Sequence, residues 1–375
     1  MRASVKTCTL LTLSIFSILA SWHGANASSM VSERSDVCNN NLGLQIEELI
    51  QNSSITVHEE LENITPPDDI CTESSHSQIQ VNKSIRSEPG LNQQWALEQI
   101  QAVPLPGIAK NNSPVLVAIL DTGIDREHED LCGAVIADAN FTESDTTDDV
   151  YGHGTHIAGI IAARNDNNLG VVGLAPESSL VNIKVANDKG RCQISALADG
   201  IIWAADNGAS VINISIEMRE STSTLREAVD YAWRKGAVII AAAGNDGIES
   251  PVYPACYENC IGVTAIQENG TLAPLANFGD WVDVAAPGFN IYSTLPDNSY
   301  GYKYGTSFAT AYVSGLAAIL FTVVADTSGD GRLNDEVRLA IDAGCQNTGI
   351  DGTGLGIINA TDSFNEVMAN LEHSP

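Results

Sequence analysis

From about residue 90 onward the chain is built of long apolar runs separated by glycine. Val115–Leu120 is continuous, of strand length, and ends on Asp121. Similar runs recur at Leu180–Val185, Ser210–Ser215, Ala237–Ala243 and Ile261–Ile266. Their Val and Ile content and their lack of alternation predict strands covered on both faces. Helical patterns lie between them, at His153–Arg164, Ile194–Asp206, Ser221–Trp233 and Thr306–Val324. Strand–helix alternation over about 250 residues predicts an α/β fold with a mainly parallel central sheet flanked by helices. Ligands of such sheets bind outside the carboxyl ends of the strands, so polar residues at those ends are the candidates for function. No phosphate-binding GxxxxGK[ST] loop, strand-linked GxGxxG or fixed-period repeat is present.

Before residue 90 the pattern is different. Arg2 and Lys6 precede an apolar run from Leu10 to Ala20, followed by Ala25-Asn26-Ala27, a small-residue cleavage site. Residues 1–27 therefore read as an export signal, and the run is shorter than the roughly 20 residues a bilayer span needs. Residues 28–88 are polar, with eleven acidic against three basic residues, and form a separate acidic segment. The character changes at Ser87-Glu88-Pro89-Gly90, so the main domain is placed at 89–375. The expected location is secreted or periplasmic.

Charge and cysteine content narrow the function further. With 47 acidic and 18 basic residues the net charge is −29, which argues against nucleic-acid partners and against a hold on anionic lipid. With 44 % hydrophobic residues a sizeable core can form. After export the cysteines, Cys38, Cys71, Cys132, Cys192, Cys256, Cys260 and Cys345, are expected in disulfides, with one left over. The pairing is not readable from the sequence. Cys256 and Cys260 have no partner pair at zinc spacing.

Three polar islands carry candidate chemistry. A strand delivers Asp121 to the turn Thr122-Gly123; Gly152-His153-Gly154 opens an apolar helix; Gly305-Thr306-Ser307 opens another. Each has an ordinary alternative, as turn former, core histidine or helix cap. Together they supply what a serine nucleophile needs: an imidazole to take its proton and a carboxylate to orient that imidazole. The order Asp, His, Ser and the flanking glycines resemble the subtilisin-like serine peptidases, the subtilases. A fourth island, Gly244-Asn245-Asp246, fits the same family, and so does the closing segment Gly354–Ala360.

The resemblance covers roughly residues 91 to 365. It implies the three-layer subtilisin-like fold and an endopeptidase acting on protein or peptide substrates through an acyl-enzyme. Asp121 would orient, His153 would be base and then acid, Ser307 would attack, and Asn245 would donate to the oxyanion. By position, residues 28–88 would be a pro-segment that assists folding and blocks the cleft, with maturation within Asn82–Leu91, near Arg86. The mature enzyme would be a monomer with no membrane span and no organic cofactor. Calcium is the implied structural ion, held by Asp130 and Asn167 through side chains and by Asn165, Leu169 and Val171 through carbonyls, a hard-oxygen set that suits Ca²⁺. A second loop places Asp326, Ser328 and Asp330 in an EF-hand-like spacing, with Val337 where the closing acid belongs; its alternative is an acidic helix start at Asn334-Asp335-Glu336.

Two edge segments, Gly190-Arg191-Cys192 and Ser215-Ile216-Glu217, stand where the family grips extended peptide. Cys192 and Glu217 replace the usual glycines, which either narrows the groove, favours basic substrate residues or leaves plain surface. Val252 and Asp246 are expected at the first specificity pocket, and Ala311 replaces a proline common after the nucleophile. Against the peptidase stand a non-catalytic, calcium-dependent binding scaffold and a serine esterase. Glycosylation sequons occur at Asn52, Asn63, Asn82, Asn111, Asn140, Asn269 and Asn359, and at Asn213, which is expected bare.

Overall fold

A seven-stranded sheet with every neighbouring pair parallel forms the centre of the molecule. The computed structural model describes residues 88–102, 114–165 and 167–372. The export signal, nearly all of the acidic segment, Cys8, Cys38, Cys71 and the sequons at Asn52, Asn63, Asn82 and Asn111 lie outside the described residues. In chain order the strands are β1 (Leu116–Asp121), β2 (Val135–Asn140), β3 (Ser179–Lys184), β4 (Val211–Ile214), β5 (Val238–Ala242), β6 (Ile261–Ile266) and β7 (Val284–Pro287), arranged β2-β3-β1-β4-β5-β6-β7. An antiparallel hairpin, β8 (Ile291–Leu295) and β9 (Ser299–Lys303), stands apart from the sheet. The helices are α1 (Trp95–Gln99), α2 (Gly154–Ala162), α3 (Ile194–Asp206), α4 (Ser223–Arg234), α5 (Thr306–Phe321), α6 (Asn334–Gly344) and α7 (Ala360–Glu372).

The continuous apolar runs follow from burial on both faces. In β1, Val117 and Ile119 enter the core under α2 and α5, while Ala118 and Leu120 enter the opposite core under α3 and α4. In β5 the same split sends Val238 and Ile240 one way and Ile239 and Ala241 the other. Side chains alternate across a strand, so only a strand sandwiched between helices can be apolar at every position. Helix α5 is buried on nearly all sides, which explains its lack of a polar face. Helix α4 has one, and its start is capped by Thr222, whose hydroxyl accepts from Leu225 N at 3.3 Å.

The five expected strands are present, with ends shifted by a residue or so. Strands β2 and β7 were not signalled. β2 is an edge strand carrying Asp138 and Asn140 with only its first residue buried, and β7 is a four-residue Val-Ala-Ala-Pro segment. The pairing expected for the cysteines fails for four of them: Cys192, Cys256, Cys260 and Cys345 are free thiols. Cys345 instead donates to Ile341 O within its own helix, and Cys260 is buried in the apolar core. Of the described sequons, Asn213 and Asn359 are buried, which denies them to modification, and Asn140 and Asn269 are exposed. Among the described residues no helix is long and apolar enough to cross a membrane.

Candidate active site

Strands β1, β4 and β5 are neighbours, and the site lies where their carboxyl ends meet the starts of α2 and α5. β1 ends on Asp121, which is 1 % exposed. Its Oδ1 accepts from His153 Nδ1 at 2.8 Å and from Thr122 N at 2.7 Å. A carboxylate only accepts, so this bond puts the proton of a neutral His153 on Nδ1 and leaves Nε2 with a free lone pair.

A second buried carboxylate fixes the backbone around His153. Asp149 accepts from Gly152 N at 2.7 Å and Thr155 N at 2.8 Å, on either side of the histidine, and from Thr122 Oγ1 at 2.7 Å. The Thr122 hydroxyl in turn accepts from Gly154 N at 3.1 Å. Asp149 thereby caps α2 and ties it to the turn after β1. Gly154 is required at this junction because a Cβ there would collide with Gly123 O and press on Asp121.

Lys184, fully buried at the end of β3, donates to Thr122 O and Asp148 O and pairs with Asp188 Oδ1 at 2.9 Å. Neither Asp149 nor Lys184 was singled out in the sequence. A lysine inside the apolar run Leu180–Val185 was the available signal.

Burial works against a charged His153, but the charge of Asp121, its hydrogen bond and Asp149 outweigh that. The net result is a pKa above the ordinary histidine value, with Lys303 at the end of β9 pulling it down. Activity that needs the neutral ring is therefore lost as pH falls through this raised pKa. Lys303→Met removes a cation that opposes protonation, so the acid limb of the kcat/KM profile is expected to move to higher pH. An unmoved limb, or one moved to lower pH, would contradict the electrostatic reading of Lys303. His156, one turn along, is a different case: burial holds it near pKa 3, and its Nε2 lies 3.2 Å from Gly301 O, tying α2 to the hairpin.

Ser307 sits in the first turn of α5 and is 7 % exposed. Phe308 beside it packs against both histidine rings, with centroids 5.4 Å from His153 and 4.7 Å from His156. Ser307 Oγ donates to Ser215 O at 3.4 Å, a long contact, and no hydrogen bond links it to His153 in this conformation among the described residues.

Asn245 is exposed just after β5. Its Oδ1 accepts from Thr306 N at 2.9 Å, which turns Nδ2 outward as a free donor. In the same first turn Phe308 N donates to Gly305 O, and Ser307 N has no acceptor within the helix. Gly305 makes this junction possible with φ 146°, where a Cβ would stand 3.3 Å from Asn245 Oδ1.

The two edge segments border this centre. Ala186 and Cys192 bridge the base of an exposed turn containing Gly190 and Arg191, and the turn rests on Tyr151, two residues before His153. Burial and then the charge of Asp121 push the Cys192 thiol up to about 12, which disfavours its thiolate. Ser215, Ile216 and Glu217 leave β4 toward Ser307 and Asn245. Asp246 pairs with Arg219 at 2.9 Å. Val252, expected in the specificity pocket, is 3 % exposed and packs into the apolar core on the α3 and α4 side.

The expected calcium loop folds around Asp130. This carboxylate accepts from Asn167 Nδ2 at 2.7 Å and Val171 N at 2.8 Å, while Asn167 Oδ1 accepts from Leu169 N; Asn165 lies at the start of the same loop. Glu88, missed in the sequence, joins it: the side chain is 4 % exposed, Oε1 accepts from Asn168 N at 3.3 Å, and Oε2 is buried without a partner. An orphaned buried carboxylate oxygen held on this loop is the kind of group a hard cation pairs with, while Asn167 turns its amide nitrogen, not its oxygen, to Asp130.

The second loop is used differently. Asp326 accepts from Ser328 Oγ, Gly329 N and Gly331 N, Asp330 pairs with Arg332, and Glu336 accepts from Thr327 N and Ser328 N. Asp335 and Glu336 thus form the acidic first turn of α6. Among the described residues no group of three or more His, Cys, Asp or Glu is placed to hold a metal ion.

A carboxylate-held imidazole at the carboxyl edge of a parallel sheet, with a serine opening a neighbouring helix, offers the parts that serine hydrolases use. The subtilase family model matches residues 112–334, and the chain belongs to that family of serine endopeptidases. It is 44 % identical over 248 residues to a thermophilic serine proteinase of Bacillus sp. (strain AK1), covering 66 % of this chain and 60 % of that protein. It is 41 % identical over 276 residues to thermitase of Thermoactinomyces vulgaris, covering 72 % of this chain and 95 % of that one. A solved protease structure from Pseudoalteromonas arctica superposes with a TM-score of 0.67 at 28 % identity, over 75 % of this chain and 99 % of that one.

Proposed function

We propose that the chain is an exported serine endopeptidase whose catalytic groups are Asp121, His153, Ser307 and Asn245. The observation that carries this reading is the 2.8 Å bond from His153 Nδ1 to Asp121, which leaves the lone pair on Nε2, in a ring whose centroid lies 5.4 Å from that of Phe308, the residue after Ser307. The long Ser307–Ser215 contact is weak enough to exchange for His153 when substrate fills the cleft, since such bonds tighten in the complex.

Ser307 Oγ then attacks the scissile carbonyl carbon and its proton passes to Nε2. The carbonyl oxygen, now an oxyanion, accepts from Asn245 Nδ2 and Ser307 N. The imidazolium, stabilised by Asp121, protonates the departing amine as the C–N bond breaks. Water attacks the acyl-enzyme by the same route in reverse, with His153 again the base, and releases the new carboxylate.

Residues 1–27 would be removed on export, and 28–88 would act as an intramolecular foldase and inhibitor. Because Glu88 packs on the Asp130 loop, the maturation cut belongs before it. Calcium is the proposed structural ion, held by Glu88, Asp130, Asn167 and the carbonyls of Asn165, Leu169 and Val171. A ligand present at 100 times its Kd stabilises a fold by about 2.7 kcal/mol, worth roughly 5 °C in a domain of this size. Chelation of the matured protein is therefore expected to lower Tm by about that amount, with full return on adding Ca²⁺ but not Mg²⁺. An unchanged Tm would remove the ion from the account.

The function itself is tested by incubating matured protein with an unstructured protein substrate. Internal cleavage that stops after fluorophosphonate treatment supports the proposal. Intact substrate, or cleavage indifferent to the reagent, rejects it.

A further inference from the structure

Glu217 is the third residue beyond β4, and its carboxyl group lies over the backbone of Gly244. A Cβ on Gly244 would collide with Glu217 Oε2. The carboxyl therefore sits in the crevice between the ends of β4 and β5, one residue from Asn245, whose backbone N–H it accepts. Oε2 is buried and has no hydrogen-bond partner.

The surroundings do not neutralise it. Asp246 lies close enough to disfavour the ionised form, adding to the effect of burial, and the nearby cation, Arg219, opposes both. Arg219, however, is ion-paired to Asp246 at 2.9 Å and its side chain is 71 % exposed. A buried carboxylate oxygen without a cation is costly unless something pairs with it, and two carboxylates here share one solvated guanidinium.

The direction of the substrate follows from the groups around Ser307. The departing amine must reach His153 Nε2 to take its proton, so the leaving-group side faces the β1 and α2 side. The acyl side then faces the β4–β5 crevice, with its carbonyl oxygen at Asn245 Nδ2. A side chain on the acyl residue branches next to that carbonyl and points toward Glu217. Lysine and arginine alone combine a long stem with donors and a fixed positive charge at the tip.

We propose that Glu217 is a specificity-determining residue that anchors a lysine or arginine side chain on the acyl side of the scissile bond. This rests on the serine-peptidase reading and names the substrate class for it.

The test uses matured protein, titrated with a fluorophosphonate to count active sites, on matched peptides that differ only in the acyl-side residue: Arg, Lys, Leu or Phe. Wild type is expected to favour Arg and Lys by about tenfold or more in kcat/KM, and Glu217→Gln to bring that ratio to within about threefold. Because Glu217→Gln could disturb the crevice, a second measurement uses wild type alone. A peptide aldehyde ending in argininal should inhibit about tenfold more tightly than its phenylalaninal counterpart. Protein that labels and cleaves but favours Leu or Phe, or whose ratio survives Glu217→Gln, overturns the assignment of Glu217 and leaves the peptidase reading standing. Folded protein that neither labels nor cleaves overturns both.

Discussion

Replacing Ser307 by alanine is expected to lower kcat by about a millionfold, with KM little changed. The oxygen removed makes one long contact, to Ser215 O at 3.4 Å, so the fold should lose almost nothing. The loss comes instead from the chemistry: without Oγ no acyl-enzyme forms, and His153 has no proton to take. His153→Ala should cost about as much, and the double variant no more than either alone, because the residues act as a unit. Kinetics on matured variants whose circular dichroism matches wild type provide the check. A Ser307→Ala protein that keeps a tenth of the activity would place the nucleophile elsewhere, and additive losses would separate the two residues.

Asn245 should be worth less, but still a great deal. Loss of one oxyanion donor costs about 10²–10³ in kcat, and Asn245→Ala is expected to fall in that range with KM nearly constant. The alanine also removes the acceptor for Thr306 N, so a loss could come from a loosened start of α5. Asn245→Asp separates the two effects, since it keeps an oxygen for Thr306 N and replaces the outward donor with a charged acceptor. The expected result is that aspartate is at least as damaging as alanine, because it also places negative charge beside the oxyanion. An active Asn245→Asp enzyme would make the residue a helix cap and nothing more.

The sequence disclosed the parts of this molecule where burial is complete. β5 is apolar at every position, and β1 at every position before its terminal Asp121, because helices cover both faces, and α5 is legible because it is buried on nearly all sides. The same completeness makes Asp121, His153 and Ser307 conspicuous as polar residues at the ends of apolar runs, whereas the role of Asn245 came from the resemblance to the family. Residues that act through the backbone were not legible. Asp149 lies in a polar loop with several other acids, and only the fold shows that its carboxylate holds the amides on both sides of His153. Lys184 reads as an interruption of a strand until the turn after β1 is seen resting on it. Glu88 falls at the boundary drawn between segments, and its attachment to the Asp130 loop depends on a contact 80 positions away. β2 was hidden for the opposite reason, being an edge strand with mixed polarity. Val252, expected to line the first specificity pocket, packs in the apolar core, since residue type alone does not tell a pocket wall from the packing behind it.

The central claim is that Ser307 becomes a nucleophile because His153, oriented by Asp121, can take its proton. The most direct measurement is the rate of fluorophosphonate labelling across pH, with the modified residue identified by peptide mapping. The account predicts a single adduct on Ser307, forming faster as pH rises through a titration above the ordinary histidine pKa, with the slope lost in His153→Ala. A folded, matured protein that takes no label, or takes it on another residue, would contradict it.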